Sequence, residues 1–346
     1  MSERRSYLDV IPGETRGVVT LDGRPERLLI ERAGDPPAQA LGAHVAARVR
    51  AIQRAAAIAF LDMGEGPDAI LNLNAETGPL AEGQWLQVEV RSESRQGKGA
   101  SARLVGPWEG PPGVITPAPS LADRLKAFAP TSSVQTGAIA RTVADTACEE
   151  ALASEFALPG GGSIAVERTR ALTAVDVDLG GQTGETKRAT RSANMAALNL
   201  AARVLRLKGL GGLVVIDLVG RGHDAPALLS AARAAFGPDN PGVALGQISR
   251  FGVIELTVPR RARSPLERLL DVTGALSLES EAFDLVRALE REALAEPGGR
   301  FTAVAGPGVA EAAAPWVMDL TRRFGARLAV KADAARARGQ AHVVRD

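Results

Sequence analysis

Asp176 and Asp217 each end a short apolar stretch, within residues 172–178 (LTAVDVD) and 211–220 (GGLVVIDLVG), and a long helical pattern separates them. Apolar strands bury well and a carboxylate at their end does not, so its presence there asks for a chemical reason. In α/β sheets, ligands and metals collect at strand ends. Two carboxylates facing one crevice make a hard-cation site suited to Mg²⁺ and phosphate chemistry. Asp178, two residues after Asp176, points to the same strand face because side chains alternate with a period of two. It is a candidate third ligand or an acceptor just outside the metal shell. The plain alternative is that one Asp caps the following helix and the other is a solvated strand end.

Candidate phosphate contacts surround this pair. The segment 179–191 (LGGQTGETKRATR) ends in Lys187, Arg188 and Arg191, which can clamp phosphates or can simply form a solvated helix start. Arg250, in the SRFG turn of residues 249–252, is either held near the site or a surface hairpin cation. Phe60, flanked by small residues in AAAIAFLDMG, is a base-stacking candidate if it faces outward and a core residue if not. Lys98 sits in a Gly-flanked turn with Arg91 and Arg95 nearby, a local basic patch on a chain whose net charge is only +1. An apolar strand followed by Asp also suits a Mg²⁺ nucleotide hydrolase, but GGQTGETK does not fit GxxxxGK[ST], which removes a P-loop. His44, His223 and His342 are scattered, Cys148 has no His partner, and GxSxG is missing, so zinc and acyl-transfer chemistries are poor fits.

These residues need elements to position them. With 346 residues the chain supports two or three domains, and at 45% hydrophobic but 3% aromatic its cores must be built of Ala, Leu and Val. A single cysteine excludes a disulfide framework within the chain and fits a reducing compartment. The N-terminal residues have charges but no apolar h-region, and no run of 18 apolar residues suggests a membrane span. Six short apolar or alternating runs between residues 14 and 106 predict a small barrel. A Pro- and Gly-rich stretch over residues 106–120 reads as a boundary, and 121–157 as mostly helical. From residue 158 the pattern alternates strand and helix: strands at IAVERT and ALTAVDV, a helix over 190–208, a strand at LGGLVVIDLV, a helix over 225–236 and strands at VALGQI and FGVIELTV. A third unit from about residue 264 has helices over 279–296 and 309–324 with strands RFTAVAG, RLAVKA and AHVVRD.

The runs LPGGGSIAVERTRALTAVDVD, ATRSANMAALNLAARVLRLKGLGGLVVIDLVG and ISRFGVIEL resemble, in order, the catalytic region of the bacterial ribonuclease E/G family. IPGETRGVVTLDG resembles its N-terminus, AAAIAFLDMG and RQGKGASARL its S1-like OB-fold RNA-binding domain, GAIARTVAD its 5′-end sensing motif, and the region from EAFDLVRALEREAL to AHVVRD its small domain. The resemblance implies that Asp176 and Asp217 are the metal-binding aspartates of a DNase I-like subdomain. It implies that Phe60 and Lys98 contact RNA, and that Arg141 and Thr142 occupy the positions that grip a 5′-monophosphate. Asp178 falls where the family usually has Asn, which adds a negative charge. Ile70 replaces a second aromatic RNA contact. Most of the segment that builds the rest of the sensor and the RNase H-like subdomain is missing, and PRRARSPLERLLDVTGALSL runs where the family has its CPxC zinc-link.

The expectation is therefore an α/β (α+β multidomain) chain: an N-terminal β segment (1–36), an S1-like OB-fold barrel (37–107), a linker with a remnant 5′ sensor (108–157), a DNase I-like α/β catalytic domain (158–262) and a C-terminal α/β small domain (263–346). The expected activity is Mg²⁺-dependent cleavage of single-stranded RNA to 5′-phosphate and 3′-hydroxyl ends, in the cytoplasm. Asp176, Asp217 and Asp178 are the catalytic set, and Phe60, Lys98, Arg141, Thr142, Arg188, Arg191 and Arg250 the RNA contacts. No zinc-link is expected, so any homodimer would use protein surfaces. The alternative is an RNA-binding or regulatory protein of the same fold with little or no cleavage.

Overall fold

The computed structural model describes residues 3–75, 77–95, 97–180 and 187–346. The chain begins with an antiparallel meander of β1 (Arg4–Ile11), β2 (Glu14–Leu21) and β3 (Arg24–Arg32). Next comes a closed five-stranded barrel, consistent with an S1-like OB fold, built from β4 (His44–Gln53), β5 (Ile58–Asp62), β6 (Ala69–Asn72), β7 (Trp85–Ser92) and β8 (Ser101–Pro107). Its strands run in the order β5-β6-β8-β7-β4, and β4 pairs back onto β5 to close it. Alternation fills the interior: Val45, Ala47, Val49, Ala59, Leu61, Leu71, Val88 and Val90 are all buried. This corrects the expectation of a barrel built from six runs. GVVTL and RLLIE belong to the separate meander, and the fifth barrel strand is β8, between β6 and β7.

The proline-rich stretch is not a loose connection. It carries β9 (Gly113–Thr116), which pairs with β4. The chain then returns to the first sheet with α1 (Leu121–Phe128), β10 (Val134–Gln135), which adds parallel to β1, and α2 (Ala138–Leu152). Ser120 caps α1 by accepting from the Asp123 N–H at 3.2 Å. Ala140, Ala144, Ala147, Cys148 and Ala151 recur at helical spacing and pack on Tyr7, Val18, Leu28 and Ile30. Burial pushes the Cys148 thiol up to about 11, which makes it a core residue, not a reactive one.

A six-stranded sheet follows, ordered β11-β12-β13-β14-β16-β15. It comprises β11 (Glu155–Ala157), β12 (Ser163–Arg168), β13 (Thr173–Asp178), β14 (Gly212–Asp217), β15 (Ala244–Ile248) and β16 (Val253–Val258). Helices α3 (Lys187–Leu207) and α4 (Ala225–Phe236) cover one face. Leu198, Ala201, Ala202 and Leu205 of α3 bury against Val175, Val177, Val214 and Ile216. The last unit comprises α5 (Pro265–Leu269), α6 (Leu278–Ala295), β17 (Phe301–Ala305), α7 (Pro307–Phe324), β18 (Leu328–Ala332) and β19 (His342–Arg345), with a sheet ordered β18-β17-β19.

The first sheet and the last unit are joined by buried charge. Glu14, 2% exposed, accepts from Arg16 at 2.8 Å, Arg32 at 2.7 Å and Arg287 at 2.8 Å. Asp9 accepts from Arg287 at 2.9 Å and from Arg141 at 2.9 Å, and Arg141 also reaches Glu290 at 2.6 Å. The turn between β1 and β2 presses against α7: Gly13 has φ +85°, and a Cβ there would lie 2.6 Å from the Trp316 ring. Removing one member of such a network strands the others without water. Arg287→Ala is therefore expected to destabilise the fold by about 3–5 kcal/mol, read from chemical denaturation. Burial alone would raise the Glu14 carboxyl, but Arg16, Arg287 and Arg32 outweigh it and hold it below the usual range. A depressed folded value means that the stability from Glu14 is fully present above the unfolded value of about 4.3 and is lost as pH falls through the folded one. Denaturation midpoints measured from pH 7 down to pH 3 should fall below about pH 4.3, and the fall should shrink in Glu14→Gln.

Candidate active site on the open sheet face

β13 and β14 are parallel neighbours, and their register pairs Asp176 directly with Asp217. Adjacent strands lie about 4.8 Å apart, and residues in register share a face, so the two carboxylates stand side by side. Both are exposed, on the face that α3 and α4 leave open. The local sequence enforces this: Val175, Val177, Val214 and Ile216 face the helices, so the alternate positions Asp176, Asp178 and Asp217 must face out. Ala165 of β12 and Val253 of β16 flank the pair in register and bring no charge. Two adjacent exposed carboxylates form a donor set suited to a hard divalent cation. Among the described residues there is no group of three His, Cys, Asp or Glu side chains placed to hold a metal ion.

Asp178 shares this face but has local work. Its Oδ1 accepts from the Gly180 N–H at 2.8 Å, which turns the chain out of β13. Gly162 of the LPGGGS turn presses on the same strand end: its φ is +83°, and a Cβ there would lie 2.3 Å from the Asp178 carbonyl oxygen.

The loop after Asp217 is held from α3. Asn194, fully buried, donates to the Val219 carbonyl at 2.9 Å and accepts from the Val219 N–H at 3.1 Å. Gly220 packs on Thr190 one turn earlier. On its other side the loop meets the SRFG turn, where the Leu218 N–H donates to the Gly252 carbonyl at 3.1 Å. Asn194 escaped the reading of the sequence. Its signal was a polar side chain on the apolar stripe that continues through Leu198, Ala201 and Leu205.

The crossover geometry gathers several cations at this end of the sheet. Because α3 carries the chain back from β13 to a parallel β14, its first turns lie at the carboxyl ends of both strands. Arg188 and Arg191 are exposed there, and with His223 they line a cleft of about 500 Å³. Arg191 pairs with Asp224 at 3.2 Å, whereas Arg188 has no carboxylate partner among the described residues. Residues 181–186 and the Lys187 side chain lie outside the described residues. Arg250 sits in the turn leading to Val253, the partner of Asp217, and its guanidinium stacks 4.6 Å over the ring of Phe251. Phe251 is 74% exposed, a large aromatic in water at the aspartate end of the sheet. The sequence offered it in SRFG next to the noted arginine, but exposure cannot be read from one residue.

The other candidates lie elsewhere. Phe60 faces outward, between buried Ala59 and Leu61, directly across from Ile70. Lys98 is exposed in a hairpin closed by reciprocal backbone bonds with Arg95 at 2.9 and 2.8 Å. That hairpin docks near the far end of β16, where Arg95 donates to the Arg260 carbonyl at 3.2 Å. Arg141 is committed to Asp9 and Glu290, with a side chain only 12% exposed, and the hydroxyl of exposed Thr142 donates to Ala138 O at 3.1 Å. No helix of the described residues is long and apolar enough to cross a membrane.

Residues 136–261 match the model of the Ribonuclease E/G family. Ribonuclease E of Haemophilus influenzae is 35% identical over 159 residues, covering 43% of this chain and 17% of that protein. Ribonuclease E of Escherichia coli K12 is also 35% identical over 159 residues, with 43% and 15% covered. Ribonuclease G of Escherichia coli K12 is 27% identical over 176 residues, with 47% and 36% covered. The chain thus spans well under half the length of each of these relatives. The matched stretch contains α2 and the whole six-stranded sheet, with its two in-register aspartates. Through this region the chain is similar to the ribonuclease E/G family.

Proposed function

We propose that the chain is an endoribonuclease that hydrolyses single-stranded RNA at the Asp176–Asp217 site, in RNA processing or decay. The observation that carries this reading is the register of β13 on β14, which sets two exposed carboxylates side by side. The relatives named Ribonuclease E and Ribonuclease G supply the substrate class. The paired carboxylates fit Mg²⁺, and Asp176 and Asp217 would hold it. When bound, such an ion lowers the pKa of a water and offsets charge on a phosphodiester. Asp178, tied to the Gly180 N–H, keeps β13 ended at the right residue and adds negative potential beside the pair.

The bond changes follow from the proposed products. A water oxygen bonds to phosphorus as the P–O3′ bond breaks, and the departing oxygen takes a proton. The upstream fragment keeps a 3′-hydroxyl and the downstream one a 5′-phosphate. Arg188, Arg191 and Arg250, at the same end of the sheet, would offset the charge of the phosphates on either side. Phe60 and Lys98 hold the strand on the barrel, one by stacking and one by charge. With Ile70 opposite Phe60, that platform has one aromatic and one aliphatic side chain, so base stacking is weak. Arg141 is held by Asp9 and Glu290, which favours cleavage that does not depend on the 5′-phosphate.

Two results test the reading. Partners one step removed from a metal commonly contribute about 10–100-fold, so losing both direct carboxylates should cost more than about 100-fold. The Asp176→Asn, Asp217→Asn double variant should therefore lose that much cleavage in Mg²⁺ while still binding RNA. Cleavage at the wild-type rate would refute the site, and wild-type protein that binds RNA without cutting it would favour the RNA-binding alternative. Asn194 is a positioning residue. Asn194→Ala strips partners from both backbone groups of Val219, which should cost about 1–3 kcal/mol of stability and lower kcat more than it raises KM. Unchanged kcat in a folded variant would remove Asn194 from the account.

A further inference from the structure

A second cleft, of about 310 Å³, lies at the opposite end of β14 from the aspartates. The six residues from Gly212 to Asp217 place the two sites about 17 Å apart along the strand. β3, α1, the last turns of α3 and α4, and the segment after β16 wall it in. Six arginines line it, with Asp239 the one carboxylate among the described lining residues.

Most of that positive charge is paired. Asp239 lies 3.3 Å from Arg27 and 2.9 Å from Arg206, and Arg206 also meets Glu26 at 3.1 Å. Arg124 pairs with Glu31 at 3.0 Å, and Arg263 reaches Asp35 at 3.8 Å. Arg260 and Arg261 are different: neither has a carboxylate within ion-pair distance among the described residues. Each makes one side-chain hydrogen bond to a backbone oxygen, Arg260 to Gly211 O at 2.9 Å and Arg261 to Pro241 O at 2.9 Å. Burial, then the nearby guanidiniums of Arg168 and Arg95, hold Arg260 below its ordinary value. A cation that has given up water beside other cations is stabilised by an incoming anion.

Apart from Asn240, the rest of the wall is apolar. Leu28, Leu205 and Phe236 form its buried floor, and the Phe128 ring carries Arg27 stacked at 4.3 Å. A sugar phosphate would leave this surface unused, whereas a nucleobase would cover it. The volume is at the lower end of the roughly 300–1,000 Å³ typical of small-molecule sites, which suits one nucleotide and not a strand.

We propose that this cleft binds a free nucleoside monophosphate, with its phosphate on Arg260 and Arg261 and its base on the apolar wall beside Phe128. This assignment stands on the cleft alone and does not require the aspartates to be catalytic.

Titration calorimetry of the full chain tests it with four probes: AMP, adenosine, inorganic phosphate and a ten-nucleotide RNA. AMP should bind, with adenosine and phosphate each weaker by about tenfold or more, which corresponds to about 1.4 kcal/mol. Arg261→Glu changes an exposed side chain and should weaken AMP by at least about tenfold, a reversal of charge at the phosphate. Asp217→Asn should leave AMP binding unchanged. The proposal is overturned if AMP fails to bind at millimolar concentration, if Arg261→Glu binds AMP as the wild type does, or if Arg261 matters only for the ten-nucleotide RNA.

Discussion

The carboxylate of Glu14 is the fixed point of this molecule. It is buried where water cannot solvate it, and it persists as a charge because three guanidiniums from β2, β3 and α6 converge on it. Asp9 extends the network to α2 through Arg141. Charges so placed tolerate little slippage, since a shift of a residue in β1 or β2 would bury a carboxylate without its partner. The N-terminal meander, α2 and the C-terminal unit are therefore locked in one arrangement. The six-stranded sheet is tied to the same block: Arg203 of α3 donates to Pro25 O and to Glu150 of α2, and Arg206 meets Glu26.

That rigidity bears on the aspartates. Two carboxylates placed side by side repel each other until a cation joins them, so the backbone must hold them against that force. The parallel ladder between β13 and β14 does so from beneath. Asn194 braces the loop after Asp217, and Asp178 with Gly162 fixes the exit from β13. Each of these contacts lies within two residues of one of the aspartates, and each is made by a residue in the stretch shared with the family.

Much of this was legible in the sequence because its physics is local. Strand-ending aspartates, the 3.6-residue stripe of α3 and the two-residue alternation in the barrel are all short-range patterns, and the secondary elements fall where they indicate. Long-range pairing was not legible. Nothing local says that GVVTL and RLLIE join β1 instead of the barrel, or that α1, β10 and α2 complete that sheet, because both outcomes bury the same alternating residues. Arg141 makes the same point for the site. Its motif is intact, but whether a guanidinium awaits a phosphate or is already paired depends on Asp9, 132 residues away in the chain, and on Glu290, 149 residues away.

The near-zero net charge conceals a division of labour among the cations. Arg16, Arg32, Arg141, Arg206 and Arg287 are paired with buried or half-buried carboxylates and act as structure. Among the cations with no carboxylate partner among the described residues, Lys98, Arg95, Arg188, Arg250, Arg260 and Arg261 fall into two groups. Arg188 and Arg250 stand at the aspartate end of the six-stranded sheet, while Lys98, Arg95, Arg260 and Arg261 group at its other end, where the barrel docks. Sheet and barrel thus present free cations at both ends of one ladder, with the open face between them. A polyanion that met Arg188, Arg250 and Lys98 would cross that face, and the aspartate pair lies at one end of the crossing. The arrangement follows from where carboxylates were left out, and no count of total charge could reveal it.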